Sequence, residues 1–233
     1  MLLQIGCFLI GQQDFLRLGD AWRFYFPYEI KSPTRNENDS SFVSFLRFSW
    51  SRPRDIVSIM RIIQDKIRYG SESNHNVVRA DDFDDSQVRM ELSNYLLGEI
   101  KDYLAFYHSD EDYELFLKFF TFLAGKYQFS YHEYIDAYNQ LADYIESNNI
   151  DVPILFESSG SFLQFLYDLD VICYVQKAED GESFWHWSYR ERTYSNVNPK
   201  VVEGVYYRIH YGLRTALNVG KVYKSRVIKR KKT

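Results

Sequence analysis

Cysteine is scarce in this chain: only Cys7 and Cys173 occur, both in apolar surroundings and at no ligand spacing. That predicts two reduced core thiols of a cytoplasmic protein. The five histidines, His75, His108, His132, His186 and His210, are scattered without an HxxxH or CxxC partner, so no metal site is expected. No apolar run reaches the length of a membrane span. The apolar opening Met1 to Ile10 also lacks a basic flank and a small-residue cleavage site, and the expectation is a chain neither exported nor membrane-bound. The glycine-dependent catalytic motifs are missing as well. There is no GxxxxGK[ST], because Gly125-Lys126 has no suitable glycine before it and Tyr127 after it, and there is no GxGxxG, GxSxG or HExxH. Gly6, Gly11 and Gly19 have neither the spacing nor the downstream lysine of a phosphate loop. Asp81, Asp82, Asp84 and Asp85 lie in a polar stretch and read as a solvated run rather than an acid/base pair. No catalytic residue and no cofactor of the chain's own follow from these absences, and the chain is read as a non-enzyme.

Charge of one sign is missing in two places. From Tyr127 to Gln176 there is no Lys or Arg against eight Asp and Glu, whereas from Lys221 to Thr233 seven residues are basic and none acidic. The net charge of −4 therefore conceals an acidic middle and a basic tail. With 45% hydrophobic residues in 233, a sizeable core is expected. Aromatic residues recur mostly at helical spacing, which assigns them to that core rather than to a stacking platform.

Along the chain, Leu2 to Ile30 carries no clear assignment and Ser32 to Ser41 reads as a polar loop. Ile56, Met60, Ile63 and Ile67 fall on one face of a helix that should end near Gly70. Ser71 to Asp85 reads as a linker. Ser86 should cap a helix running to about Tyr107, with Leu92, Tyr95, Leu96, Ile100, Tyr103 and Leu104 inward. Asp110 should cap the next, burying Tyr113, Phe116, Leu117 and Phe120. Ser130-Tyr131-His132-Glu133 is a capping box opening a helix with Ile135, Tyr138, Leu141 and Ile145 inward. A short helix burying Phe162, Phe165, Leu166 and Leu169 should lead into a hairpin, Val171 to Val175 and Ser183 to Tyr189, turning at Asp180-Gly181. Val205 to Ile209 is a candidate strand and Gly212 to Asn218 a candidate last helix. The fold class is mainly α within α+β: a helical bundle lid, then a winged-helix-like domain with a β-hairpin. The expected divisions are 1–70, with the Arg52 to Asp55 helix; 71–126, a helical linker region; 127–220, the winged-helix-like domain; and 221–233, the basic tail.

Arg52-Pro53-Arg54-Asp55 carries the strongest local signal. Proline suits the first helical turn, where its missing N–H would have no partner anyway. Two guanidinium groups beside the positive end of a helix are disfavoured unless something negative faces them. Asp55 supplies part of that charge, and the rest is either a phosphate or acidic side chains of a neighbouring helix.

Trp50-Ser51-Arg52-Pro53-Arg54-Asp55-Ile56 resembles the W-x-RPRD-[ILV] segment of bacterial FunZ-like P-loop ATPases, which are related to STAND and origin-recognition-type AAA+ proteins. Phe184 to Tyr189 with Ile209-His210-Tyr211-Gly212-Leu213-Arg214-Thr215-Ala216-Leu217-Asn218 is similar to that family's closing segment. The resemblance spans roughly Trp22 to Val219. It implies that Arg54, with Arg52 as the alternative, is a sensor-type arginine reaching nucleotide phosphates from a helical lid. The family's Walker A loop, Walker B carboxylates and parallel sheet have no counterpart here, so ATP and magnesium enter only if a catalytic core is supplied by another part or partner.

Two functions follow as expectations. The first is a non-catalytic regulatory fragment that works with a protein partner or the missing ATPase core. The second is an independent winged-helix module that contacts nucleic acid, or another acidic surface, through Lys229, Arg230, Lys231 and Lys232. The candidate recognition helix carries Asp168 and Asp170 and no basic residue, so its exposed face should meet protein rather than duplex.

Overall fold

The computed structural model describes residues 18–31, 38–69, 77–179, 181 and 183–220. The chain is α+β, helices with two small antiparallel sheets. It divides into two compact units. The first takes the described residues up to Tyr107 together with Leu169–Val171 and His210–Ala216; the second takes His108–Asp168, Ile172–Ile209 and the described residues from Leu217. The chain first passes from one unit to the other after Tyr107.

In the first unit, α1 (Leu18–Tyr25) is followed by β1 (Glu29–Lys31) and β2 (Asn38–Ser40), which pair antiparallel with Ile30 opposite Asp39. The stretch expected as a loop from Ser32 thus ends in a strand, because residues 38–40 gain their hydrogen bonds from a partner that no local pattern announces. Helix α2 (Ser41–Phe48) comes next. Trp22, Phe26, Phe45 and Phe83 interlock around it, with Trp22 and Phe26 stacked at 4.3 Å and Phe45 and Phe83 at 5.0 Å. Helix α3 (Pro53–Tyr69) has proline at its first position, as expected, and buries Ile56, Ile59 and Ile63. Ile59 takes the place expected for Met60, since the contact stripe runs i, i+3, i+7.

The expected linker is partly folded: α4 (Ala80–Asp84) occupies its end. Asp81 and Asp84 in it are exposed, as expected of a solvated run, while Asp82 serves as a cap and Asp84 as an ion-pair partner. Asp82 accepts from the Arg79 N–H, and Asp84 pairs with Arg89, whose guanidinium lies 3.6 Å from the Phe48 ring centre and 4.3 Å from that of Phe83. Asp85, not Ser86, caps α5 (Ser86–Ala105), accepting from the N–H groups of Gln87 and Val88. A carboxylate one residue earlier reaches the same orphan donors and suits the positive helix end better. Helix α5 buries Leu92, Leu96, Ile100 and Leu104, while Tyr103 is exposed.

The second unit begins with α6 (Asp110–Phe122), capped by Ser109 rather than Asp110 through a box closed by Asp112. Leu115 and Phe119 are buried there in addition to Tyr113, Phe116 and Phe120. Strand β3 (Gln128–Ser130) leads into α7 (Tyr131–Ser147), which opens on the expected Ser130 and Glu133 capping box. It buries Tyr134 and Ala137 with Leu141 and Ile145, while Ile135 and Tyr138 are only half-buried. Helix α8 (Ser159–Asp168) buries Phe162, Leu163, Leu166 and Tyr167, shifting the expected Phe165 and Leu169 to the margin. The hairpin forms between β4 (Ile172–Lys177) and β5 (Ser183–His186), with Val175 opposite Trp185 and Gly181 at φ +85° in the connection. Asp180 lies outside the described residues.

A short helix α9 (Ser188–Glu191) takes the residues expected as the end of the hairpin's second strand. Strand β6 (Tyr206–Ile209) then inserts between β3 and β4, giving the order β3-β6-β4-β5. A single turn of 3₁₀ helix, Tyr211–Leu213, replaces the expected final α-helix. Cys173 is fully buried in β4. Among the described residues no helix is long and apolar enough to cross a membrane.

Candidate functional site at the start of α3

The chain turns into α3 through Ser51, a non-glycine residue at φ +56°. That conformation costs about 1 kcal/mol and is held by hydrogen bonds on both sides of it. Ser51 N–H donates to Ser49 Oγ (3.2 Å), and Trp50 N–H donates to Asp55 Oδ2 (3.0 Å). The turn thereby folds the residues before the helix back over its third position.

Asp55 is the centre of the site. Its side chain is fully buried and accepts four hydrogen bonds: from Trp50 N–H, from Arg52 Nε (3.0 Å), from Arg52 Nη2 (2.9 Å) and from the Tyr95 hydroxyl (3.2 Å). A buried carboxylate persists because every lone-pair direction finds a donor and the Arg52 fork matches its geometry. The Arg52 guanidinium also lies 4.6 Å from the Trp50 ring centre. Burial first, and then the Asp55 and Glu99 carboxylates, push the Tyr95 hydroxyl above its ordinary value, which keeps it protonated and able to donate.

Glu99 of α5 closes the cluster. Its Oε2 lies 3.3 Å from Arg52 Nη2 and also pairs with Arg54. The two arginines are nevertheless unequal. The Arg52 side chain is 34% exposed and fixed from three directions, whereas that of Arg54 is 60% exposed. With two cations and two carboxylates the formal charge of the cluster is zero, so an incoming phosphate would meet Arg54 only as Glu99 gave way. Glu99 gave no signal in the sequence, because its role depends on α5 lying against α3.

The second sequence segment singled out above arrives at the same place. His210 Nε2 is 3.2 Å from the Ser49 carbonyl, and Gly212 N–H donates to His210 Nδ1 (3.2 Å). Since Nδ1 accepts, the ring proton sits on Nε2 and is donated to Ser49. Burial holds the imidazole at about 3, far below its ordinary range, and Arg214 pushes the same way; the Ser49 carbonyl and Asp55 only partly oppose this. His210 is accordingly a neutral tether between residue 210 and the turn before α3. Gly212 packs so closely that a Cβ there would lie 2.3 Å from Leu96 Cδ1 and 2.7 Å from the Phe48 carbonyl oxygen. Ala216 N–H completes the seam by donating to Ser93 Oγ (2.8 Å) on α5.

Lys229, Arg230, Lys231 and Lys232, as well as Cys7 and His75, lie outside the described residues. Of the other histidines, His186 shares a 2.7 Å contact with Glu191, His108 lies 3.5 Å from Asp112, and His132 lies 3.7 Å from Asp136. Among the described residues no group of three or more His, Cys, Asp and Glu is placed to hold a metal ion. Set against known protein families, curated proteins and solved structures, the chain matches none.

Proposed function

We propose that the chain is a non-catalytic regulatory part of a P-loop ATPase-like system, with the helices of its first unit as a lid and its second unit as a winged-helix-like module for protein contact. The observation that carries the reading is the inequality of the two arginines. Arg52 is committed to the buried Asp55, while Arg54 stands more than half exposed at a helix start, paired with the Glu99 carboxylate. Such a group can exchange Glu99 for the phosphates of a nucleotide held by a separate core, where magnesium would supply charge neutralisation. Helix, strand, helix, helix and hairpin, α6 through β5, support the winged-helix-like form, with β6 added between β3 and the hairpin. Helix α8 has no basic residue, which favours protein over duplex as the partner of its face.

The test has two arms. Calorimetric titration of the chain alone with Mg-ATP should be flat, and micromolar binding abolished by Arg54→Ala would reveal a phosphate site of its own. The DNA flanking the coding region should then encode a GxxxxGK[ST] protein or segment. Co-purified with it, Arg54→Ala should lower ATP turnover at least tenfold while Arg61→Ala, on the same helix, leaves it unchanged. Equal turnover in all three would overturn the reading.

A further inference from the structure

The second unit has a groove of about 560 Å³ at the C-terminal end of α7, lined by Ile145, Glu146, Asn149, Ile150, Asp151 and Val152 among others. Three observations converge on it. Val152 and Ile154 beside it are large apolar residues left exposed. The helix end carries the partial negative charge of the helix dipole, its Tyr144, Ile145 and Glu146 carbonyls accepting from the N–H groups of Asn148, Ile150 and Asn149, and its last turn holds Glu146 and no basic residue. Asp143, Asp151 and Glu157 are exposed around the same end, and no Lys or Arg lines the groove. An apolar strip inside a negative field is suited to a segment that is both basic and apolar.

The chain carries such a segment. Residues 221–233 hold seven basic and no acidic residues, interleaved with Val222, Tyr223, Val227 and Ile228. Their point of departure lies in the same unit: Gly220 N–H donates to Gly125 O (2.7 Å), just before the strand that leads into α7. Helix α7 has 17 residues and is therefore about 26 Å long, and the eight residues from Lys221 to Ile228 can extend over about 26 to 29 Å. The segment can span the helix from start to end.

We propose that residues 221–233 dock within their own chain on this groove, with Val227 and Ile228 against its apolar lining and Lys229 to Lys232 facing Glu146, Asp151 and the carbonyl end of α7. The proposal is independent of the nucleotide reading, since it uses neither arginine of the α3 site. Docking occupies the one strongly basic stretch of the chain and so withholds it from nucleic acid.

Hydrogen exchange read by mass spectrometry on the full chain tests this. At low salt the amides of 221–233 should exchange at least fivefold more slowly than in the variant Glu146→Lys/Asp151→Lys, and the protection should vanish in 1 M salt. Reversal of the segment, Lys229→Glu, Arg230→Glu, Lys231→Glu and Lys232→Glu together, should also remove it. Combining both sets should restore it, which separates docking from any damage to the fold. Absence of protection in the unaltered chain, protection that survives the groove reversal, protection that grows with protein concentration, which would place the segment on a second copy, or protection that needs added duplex DNA would each overturn the proposal.

Discussion

Arg52 and Asp55 face each other across the first turn of α3 in a two-point ion pair, Nε to Oδ2 at 3.0 Å and Nη2 to Oδ1 at 2.9 Å, with the carboxylate fully buried. The pair joins a helix start to the turn before it and, through Tyr95 and Glu99, to α5. It is the buried half of the arginine cluster, and Arg54, paired with Glu99, is the more exposed half.

Asp55→Ala should therefore destabilise the chain by roughly 3 kcal/mol, because it strands the Arg52 fork, the Trp50 N–H and the Tyr95 hydroxyl together. Arg54→Ala should change stability by less than about 1 kcal/mol, since its ion pair is largely solvated. Urea denaturation at neutral pH compares them. Similar losses for both would show that Arg54 is as structural as Arg52.

His210 ties stability to pH. Its folded value of about 3 lies below the unfolded value of about 6.5, so the unfolded chain binds the extra proton between these limits. The contribution is complete above pH 6.5 and is lost as the pH falls, by roughly 2 kcal/mol on going from 6.5 to 5. His210→Asn, which offers an acceptor and a donor but does not titrate, should flatten the dependence in this window. An unchanged slope in denaturation midpoints between pH 7 and 5 would contradict the neutral buried tether.

Gly212→Ala should destabilise by about 2 kcal/mol or more, because the added methyl collides with Leu96 and with the Phe48 backbone. Leu96→Ala removes only the first collision. Since a carbonyl oxygen on α2 cannot rotate away, the double variant should recover little in thermal unfolding, and full recovery would mean that the backbone contact is unimportant.

Ser130→Ala should cost about 1 kcal/mol, the loss of an N-cap hydroxyl that accepts from Glu133 N–H. Lys126, and then the Ser130 N–H, hold the Glu133 carboxyl down at about 2. A lowered carboxylate stabilises above its unfolded value near 4.5 and loses that contribution as the pH falls toward 2. Lys126→Ala should consequently weaken the acid-side dependence and its sensitivity to salt, measured by the thermal midpoint between pH 5 and 3.

The α3 site was legible in part. Arg52 and Asp55 are three residues apart at a proline-marked helix start, so their pairing lies within the reach of a local pattern, as does the demand for more negative charge. Glu99 answers that demand, and Tyr95 donates to Asp55, from a helix that begins over thirty residues later, and nothing at those positions distinguishes them from other polar residues of α5. His210 was visible only as a member of a segment, and its partner Ser49 is separated from it by 161 residues.

The sequence by itself determined where most helices begin and which are helices at all, because caps, proline and apolar spacing act within one or two turns. It also set the β4–β5 hairpin, whose short connection brings its strands together. Tertiary structure decided what faces what. Ile59 replaced Met60 and Phe119 joined the core, since helix periodicity leaves the width of the buried stripe to the neighbour it meets. Insertion of β6 between β3 and β4, and the meeting of residues 210–216 with α2, the turn before α3 and α5, rest on backbone pairing and close packing between distant segments. Such contacts are fixed by the shape of the assembled core, and no local arrangement of residues encodes them.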